Sequence, residues 1–200
     1  MQLKELVKNI HFKGIPDNRE ISAITYDSRK VKPGTLFVAI SGENSDGHEF
    51  IPQAIENGAV AILSNGRSPK TTVVPILQVK DPRLAMSHIS AQFYGNPSAE
   101  MNIVGVTGTN GKTSITHILY HILQTSGAAC GTLGTLGFQT PTGMVSTGFT
   151  TPESVELQQM LQTLQLAGVD NLVMEISSHA LDQHRVDNVE VDIAIFSNLT

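Results

Sequence analysis

Apolar residues recur along this chain in two rhythms. Short apolar or alternating runs at 21–26, 35–40, 60–63 and 74–79 predict strands, and the stretches between them space apolar residues three and four apart. Over 46–57 that spacing places Phe50, Ile51, Ala54 and Ile55 on one helical face. Asp81 before Pro82 is an N-cap with proline at the first helical position, and opens a helix that runs to about Tyr94. Turn formers then cluster at Gly95, Asn96, Pro97 and Ser98, which sets a domain boundary between domains 1–97 and 98–200. Strands alternating with helices predict an α/β layered fold in place of a bundle or sandwich.

The second half repeats the alternation with a different punctuation. An apolar strand at 103–106 runs into a glycine-rich turn, after which Ile115, Ile118, Leu119, Ile122 and Leu123 follow at helical spacing until Gly127. Strand, loop and helix in that order form the mononucleotide-binding unit of a mostly parallel α/β domain. Thr151, Pro152 and Glu153 predict a helix start with Thr151 as a possible cap, followed by the stripe Leu157, Met160, Leu161 and Leu164. Strands are predicted at 172–176 and 191–196. The chain stops at Thr200 with no helix after the last strand, although a parallel sheet needs cover on both faces. A truncated second domain, part of a longer protein, is therefore expected.

Composition narrows the partners. With 200 residues, 40% hydrophobic and 16% charged, the chain has the balance of a globular protein. Its net charge of −5 and lack of Lys or Arg runs offer no electrostatic footprint for nucleic acid or an anionic membrane, so an anionic ligand has to be gripped locally. The one cysteine, Cys130, precludes an intrachain disulfide and fits a reducing compartment. No apolar run has the length of a membrane span or the pattern of a leader, and a cytoplasmic monomer is the expectation.

The candidate chemistry begins in the turn formed by Gly108, Thr109, Asn110, Gly111, Lys112, Thr113 and Ser114. Backbone N–H groups in a glycine turn, backed by the positive end of a helix, bind phosphate. Lys112 can reach terminal phosphates as a point charge, and the Thr113 hydroxyl can coordinate the magnesium that bridges them. The general phosphate-loop pattern also asks for a glycine five positions before Gly111, where this chain has Val106. A plain strand-to-helix turn is the competing interpretation. Glu175 ends an apolar strand, where open α/β sheets present residues to ligands, and suits a magnesium ligand; the alternatives are a solvated side chain or an ion pair with Arg185. Polar residues are densest just beyond, at Ser177, Ser178, His179, Gln183, His184 and Arg185. His179 and His184 are five apart, which does not suit a zinc pair on one helical face.

The loop 106–114, Val-Thr-Gly-Thr-Asn-Gly-Lys-Thr-Ser, resembles that of the Mur ligase family. So do the run Tyr26-Asp27-Ser28-Arg29, the run Asp46-Gly47-His48-Glu49-Phe50, the run Thr150-Thr151-Pro152, and the stretch 174–186. The resemblance spans the chain with its motifs in order, and is closest to the branch that adds the third residue of the peptidoglycan stem peptide. It implies an ATP-dependent amide ligase with ATP and Mg2+ as cofactors. Its reactants would be UDP-N-acetylmuramoyl-L-alanyl-D-glutamate and a diamino acid, meso-diaminopimelate or L-lysine, joined through an acyl-phosphate. It further implies catalytic roles for Lys112 and Glu175, metal ligation by Thr113 and Glu175, and ATP binding by the 108–114 loop. Ser28, Glu43, Asn44, Ser45, Thr150, Thr151, Ser177, Gln183 and Arg185 would contact the UDP-linked substrate, with the first domain binding its UDP end. Asp27 and Arg29 could equally form a structural ion pair, and 43–45 a plain turn. A carboxylated lysine and an amino-acid-selecting domain, both expected beyond Thr200, would leave this piece inactive alone. Three alternatives stay open: another ligase of the family such as MurF or folylpolyglutamate synthase, a phosphate-loop kinase or GTPase lacking an Asn-Lys-x-Asp motif, and a non-catalytic UDP-sugar or nucleotide-binding module.

Overall fold

The computed structural model describes every residue except 43–44 and 67–72, and the chain divides between Phe93 and Tyr94 into two units. The first opens with a one-turn helix that the sequence did not signal, α1 (Leu3–Leu6), which buries Leu3 and Leu6. Its centre is a parallel four-stranded sheet in the order β1 (Ala23–Thr25), β2 (Thr35–Val38), β3 (Ala59–Ser64), β4 (Ile76–Gln78). Each strand overlaps a run expected from the apolar pattern. Leu36, Phe37 and Val38 in β2, and Ala61, Ile62 and Leu63 in β3, have no exposed surface, which is why these strands read as nearly unbroken apolar runs. The free edge of β4 is covered by Lys13, whose backbone N–H and C=O both pair with Gln78 at 2.8 Å.

The stretch 46–57 is not one helix. A 3-10 turn, Gly47–Phe50, precedes α2 (Ile51–Glu56), because Asp46 caps the turn by accepting the His48 N–H at 3.1 Å. Gly47 is required there: a Cβ would stand 2.5 Å from the Ile40 carbonyl oxygen. Helix α3 (Pro82–Phe93) opens as expected on Asp81, whose carboxylate accepts the N–H groups of Arg83 and Leu84.

The second unit contains, in chain order, β5 (Asn102–Thr107), α4 (Lys112–Thr125), β6 (Cys130–Gly134), β7 (Gly137–Thr140), β8 (Gly143–Val145), α5 (Ser154–Leu166), β9 (Asn171–Glu175), α6 (Ser178–Asp182) and β10 (Ile193–Phe196). Its sheet has the order β10-β5-β9-β6-β7-β8, parallel through β6 and antiparallel across β7 and β8. Strand β9 alternates between two cores. Val173 joins Val106 and Cys130 under Ile115, Leu119 and Leu123 of α4, while Leu172 and Met174 join Leu157, Leu161 and Leu164 of α5. Full burial of a side chain such as Leu157, Leu161, Leu164, Leu172, Val173 or Met174 contributes about 1.5–3 kcal/mol.

Three expectations change here. The ribbon β6-β7-β8 was not foreseen, because its Gly- and Thr-rich sequence carries little apolar alternation. Only three of the five residues of the predicted α4 stripe, Ile115, Leu119 and Leu123, pack inward, since Ile118 and Ile122 are 58% and 59% exposed. Helix α5 starts at Ser154 with Glu153 at the cap position, so Thr151 lies outside it and does not cap it. The turn at 95–98 packs with the second unit: the Tyr94 carbonyl accepts from Gln162 of α5 at 2.8 Å, and the 3-10 turn Pro97–Glu100 lies against the same helix.

Candidate functional site

Strand β5 delivers the chain to the phosphate loop. Val106 is fully buried in it and pairs with Glu175 on one side and Ile195 on the other, so the position of the absent glycine belongs to the sheet and not to the loop. The backbone then turns through Gly108 (φ 128°) and Gly111 (φ 84°), conformations that L side chains resist. Gly111 leads into α4, whose first N–H groups, on Lys112, Thr113 and Ser114, lie beyond the reach of the helix's own carbonyls. Together with the helix dipole they favour an anion at the loop mouth. Lys112 folds back over the turn, its Nζ donating to the Gly108 carbonyl at 2.7 Å and the Thr109 carbonyl at 3.2 Å.

Glu175 closes the other side. It is 1% exposed at the end of β9, and its carboxylate accepts three hydrogen bonds: from the Thr135 N–H (2.9 Å), the Thr135 hydroxyl (3.2 Å) and the Thr113 hydroxyl (3.0 Å). An ionised carboxylate only accepts, so both hydroxyl protons point at it and the lone pairs of Thr113 Oγ1 are left for another partner. A hydroxyl oxygen beside a buried carboxylate is a donor set that fits a hard cation. Among the described residues no three His, Cys, Asp or Glu side chains converge, so a cation here would draw its other ligands from phosphate oxygens and water, as magnesium does. The ion pair between Glu175 and Arg185 that the sequence left open does not form.

Arg185 instead pairs with Glu153 at 3.0 Å, donates to the Thr151 carbonyl at 2.9 Å and meets Gln183 Oε1 at 2.6 Å. Both terminal nitrogens are thereby engaged within the chain, and Nε is buried without a partner. Thr151 is 1% exposed and bridges the two segments, donating to the Glu175 carbonyl at 2.9 Å and accepting the Ser177 N–H at 3.1 Å. Ser177 caps α6 by accepting the Ala180 N–H at 3.1 Å. Thr150 Oγ1 lies 3.0 Å from Thr135 Oγ1. Thr150, Thr151, Glu175, Ser177, Gln183 and Arg185 are thus one hydrogen-bonded group around the carboxyl end of β9, joined to the phosphate loop through Thr113.

Thr135, which ties Glu175 to Thr150, was missed. The available signal was the glycine before it: a Cβ on Gly134 would sit 2.2 Å from Glu175 Oε1, so that position admits only glycine without a shift.

The first unit presents a separate set. The Ser28 side chain is buried and its hydroxyl donates to Gln53 at 3.1 Å, while Asp27 and Arg29 make the ion pair at 2.8 Å. Hydrogen bonding by Arg29 holds the Asp27 carboxyl below the usual carboxylate range. Ser45 is exposed and its carbonyl accepts the Gly42 N–H at 2.9 Å; Glu43 and Asn44 lie outside the described residues. Next to them Asp46 meets His48 Nδ1 at 2.5 Å, and the His48 contact leads the effects that lower its carboxyl to about 2.

Comparison with known proteins matches residues 106–200 to the Mur ligase middle domain and residues 20–94 to the Mur ligase family catalytic domain. A UDP-N-acetylmuramoyl-L-alanyl-D-glutamate–2,6-diaminopimelate ligase of Caldanaerobacter subterraneus subsp. tengcongensis is 42% identical over all of this chain and 42% of its own length. The ligase of the same name from Listeria monocytogenes is 43% identical over all of this chain and 41% of its own. A solved structure of a ligase so named superposes with a TM-score of 0.84 at 26% identity, covering the whole chain and 40% of its own. MurF ligase from Thermotoga maritima, solved in complex with ADP, gives a TM-score of 0.59 at 26% identity over 90% of this chain and 38% of its own. The chain spans about two fifths of the length of the curated relatives it matches.

Proposed function

The chain belongs to the Mur ligase family, and on that premise we propose that it supplies the UDP-substrate-binding unit and the phosphate-binding part of an ATP-dependent ligase. That ligase adds diaminopimelate to UDP-N-acetylmuramoyl-L-alanyl-D-glutamate, the reaction for which its relatives are named. Its place is the cytoplasm, where ATP is supplied; no helix among the described residues is long and apolar enough to cross a membrane. The observation that carries the proposal is the hydrogen bond from Thr113, at the start of α4 behind the glycine turn, to the buried Glu175.

In the proposed reaction the substrate's glutamate carboxylate attacks the γ-phosphorus of ATP and ADP leaves. The diaminopimelate amine then attacks the acyl-phosphate carbonyl, forming the amide and releasing phosphate. Lys112 exchanges its two carbonyl partners for the phosphates and offsets the charge that spreads over the transferring group. Thr113 and Glu175 would hold Mg2+, which supplies further neutralisation of that charge. The N–H groups at the start of α4 hold the phosphates in line for transfer. Thr150, Thr151, Ser177, Gln183 and Arg185, grouped beside Glu175, are proposed to receive the muramoyl-dipeptide end, and Ser28 with 43–45 the UDP end. Arg185 must exchange at least one of its present partners to bind an anion.

Calorimetric titration of the chain with UDP-N-acetylmuramoyl-dipeptide, and separately with ATP and Mg2+, tests both halves of the proposal. Lys112→Ala is expected to weaken ATP binding at least about tenfold, the scale of a lost charge-assisted hydrogen bond, and to leave the UDP-substrate titration unchanged. Unaltered ATP affinity would sink the phosphate-loop assignment, and a folded chain that ignores the UDP-substrate would sink the other.

A further inference from the structure

Beyond β10 the segment 197–200 lies across the phosphate loop and makes contacts that no role assigned so far explains. The Thr109 N–H donates to the Asn198 carbonyl at 2.9 Å. The Asn110 N–H donates to Asn198 Oδ1 at 3.1 Å, and Asn198 Nδ2 donates back to the Asn110 carbonyl at 3.1 Å. One side-chain amide therefore satisfies both backbone groups of Asn110, and the opposite amide orientation would set acceptor against acceptor and donor against donor. The Ser197 hydroxyl lies 2.6 Å from the Asn110 carbonyl and 3.1 Å from that of Thr107, and the Thr200 N–H donates to Thr109 Oγ1 at 3.2 Å. Gly108 accommodates this approach: a Cβ there would be 2.2 Å from Ser197 Oγ and 2.8 Å from the Asn198 carbonyl oxygen.

We infer that Asn198 is a positioning residue for nucleotide binding, holding the phosphate loop in shape through its paired hydrogen bonds to Asn110. The inference rests on the phosphate-loop part of the proposed function. Two consequences follow from the geometry. The N–H groups of Thr109 and Asn110 are committed to Asn198, so the phosphates are received by the N–H groups at the start of α4 and by Lys112. The missing glycine at 106 is accounted for as well. With Val106 locked into the sheet between β9 and β10, the loop is short, and the strand-end segment after β10 stabilises the turn from outside in place of a longer loop that wraps on itself. Lys112 anchors on the carbonyls of Gly108 and Thr109, so a loop that shifts would misplace the lysine too.

The test is steady-state kinetics of the full-length ligase carrying Asn198→Ala, with KM measured separately for ATP and for the UDP-linked substrate. Loss of two hydrogen bonds to the loop predicts a rise of about tenfold in KM for ATP and no change in KM for the UDP-substrate. Ser197→Ala, which removes the single hydroxyl donor shared by the Asn110 and Thr107 carbonyls and leaves the amide pair, predicts a rise of about threefold. It also carries the test if Asn198→Ala fails to fold. Lys112→Ala serves as the control. An unchanged KM for ATP in both loop variants, with the control impaired, overturns the role of Asn198 alone. An equal rise in both KM values also overturns it, since that is what general loosening of the fold would produce. If the control is also unimpaired, the phosphate-loop assignment itself falls.

Discussion

The Glu175 carboxylate, 1% exposed, is the point on which three donors converge, and two of them come from a single residue, Thr135. Replacing Thr135 by valine keeps the shape and the N–H bond but removes the hydroxyl from both Glu175 and Thr150. Urea denaturation is expected to show a loss of about 1–3 kcal/mol, the range for stripping a donor from a buried acceptor. A change within experimental error would show that water replaces the hydroxyl. Glu175 itself was legible in the sequence because it ends an apolar strand; Thr135 was not, because a threonine among glycines carries no periodic signal and its partner lies forty residues away. Cys130 offers a second check at this scale. Burial raises its thiol to about 11, so the thiolate is disfavoured in the native chain. The unfolded thiol ionises first as pH rises, and the stability this group contributes is present below about 9 and lost between there and about 11. Iodoacetamide at pH 8 should therefore label the native chain far more slowly than the urea-unfolded one; equal rates would contradict the burial.

At the scale of elements, a strand end and a turn determine where the carboxylate can stand. Strand β6 runs beside β9 and terminates at Gly134, which faces Glu175, and the two-residue turn to Gly137 then sends the chain back as β7. In Gly134→Ala the new Cβ would lie 2.2 Å from Oε1 and 2.8 Å from Cγ of Glu175, so the carboxylate or the strand must move. Overpacking of this kind costs about 1–3 kcal/mol, and it should weaken Mg2+-dependent ATP binding more than it lowers the melting temperature relative to a core control such as Leu161→Ala. Retention of full ATP affinity would remove Glu175 from the proposed cation site. Strands β2 and β3 of the first unit were legible because they are buried on both faces and, apart from Thr35 and Ser64 at their ends, apolar. The ribbon β6-β7-β8 was not, because β8 is exposed along its length and close packing, not apolar alternation, selected Gly131, Gly134 and Gly137. The start of α5 was misjudged for a similar reason: Thr151 has the composition of a cap, but tertiary contacts to Glu175 and Ser177 claim its hydroxyl.

For the whole molecule, the family was more legible than the packing, since its motifs fix residue types along the glycine turn whereas many apolar sequences can fill a core. The motifs at 106–114 and 174–186 pointed to the family before any contact was known, yet which residue touches which depended on the order β10-β5-β9-β6, brought about by chain crossovers that local sequence does not encode. Each unit has apolar packing of its own among the described residues: Val31, Phe37, Ala39, Ile51, Ala54, Ala59 and Ile62 in the first, and a cluster on either face of β9 in the second. Leu161 has no exposed surface and packs in the α5 side of the latter. Its replacement by alanine should cost about 2–5 kcal/mol, the transfer term plus the cavity left behind. If each unit holds its own core, that loss belongs to the second unit. Hydrogen exchange of Leu161→Ala should then accelerate at the amides of β5 and β9 and stay unchanged in β2 and β3, because opening events draw on the stability of the cooperative unit that contains them. Equal acceleration in both sheets would mean that the two cores unfold as one.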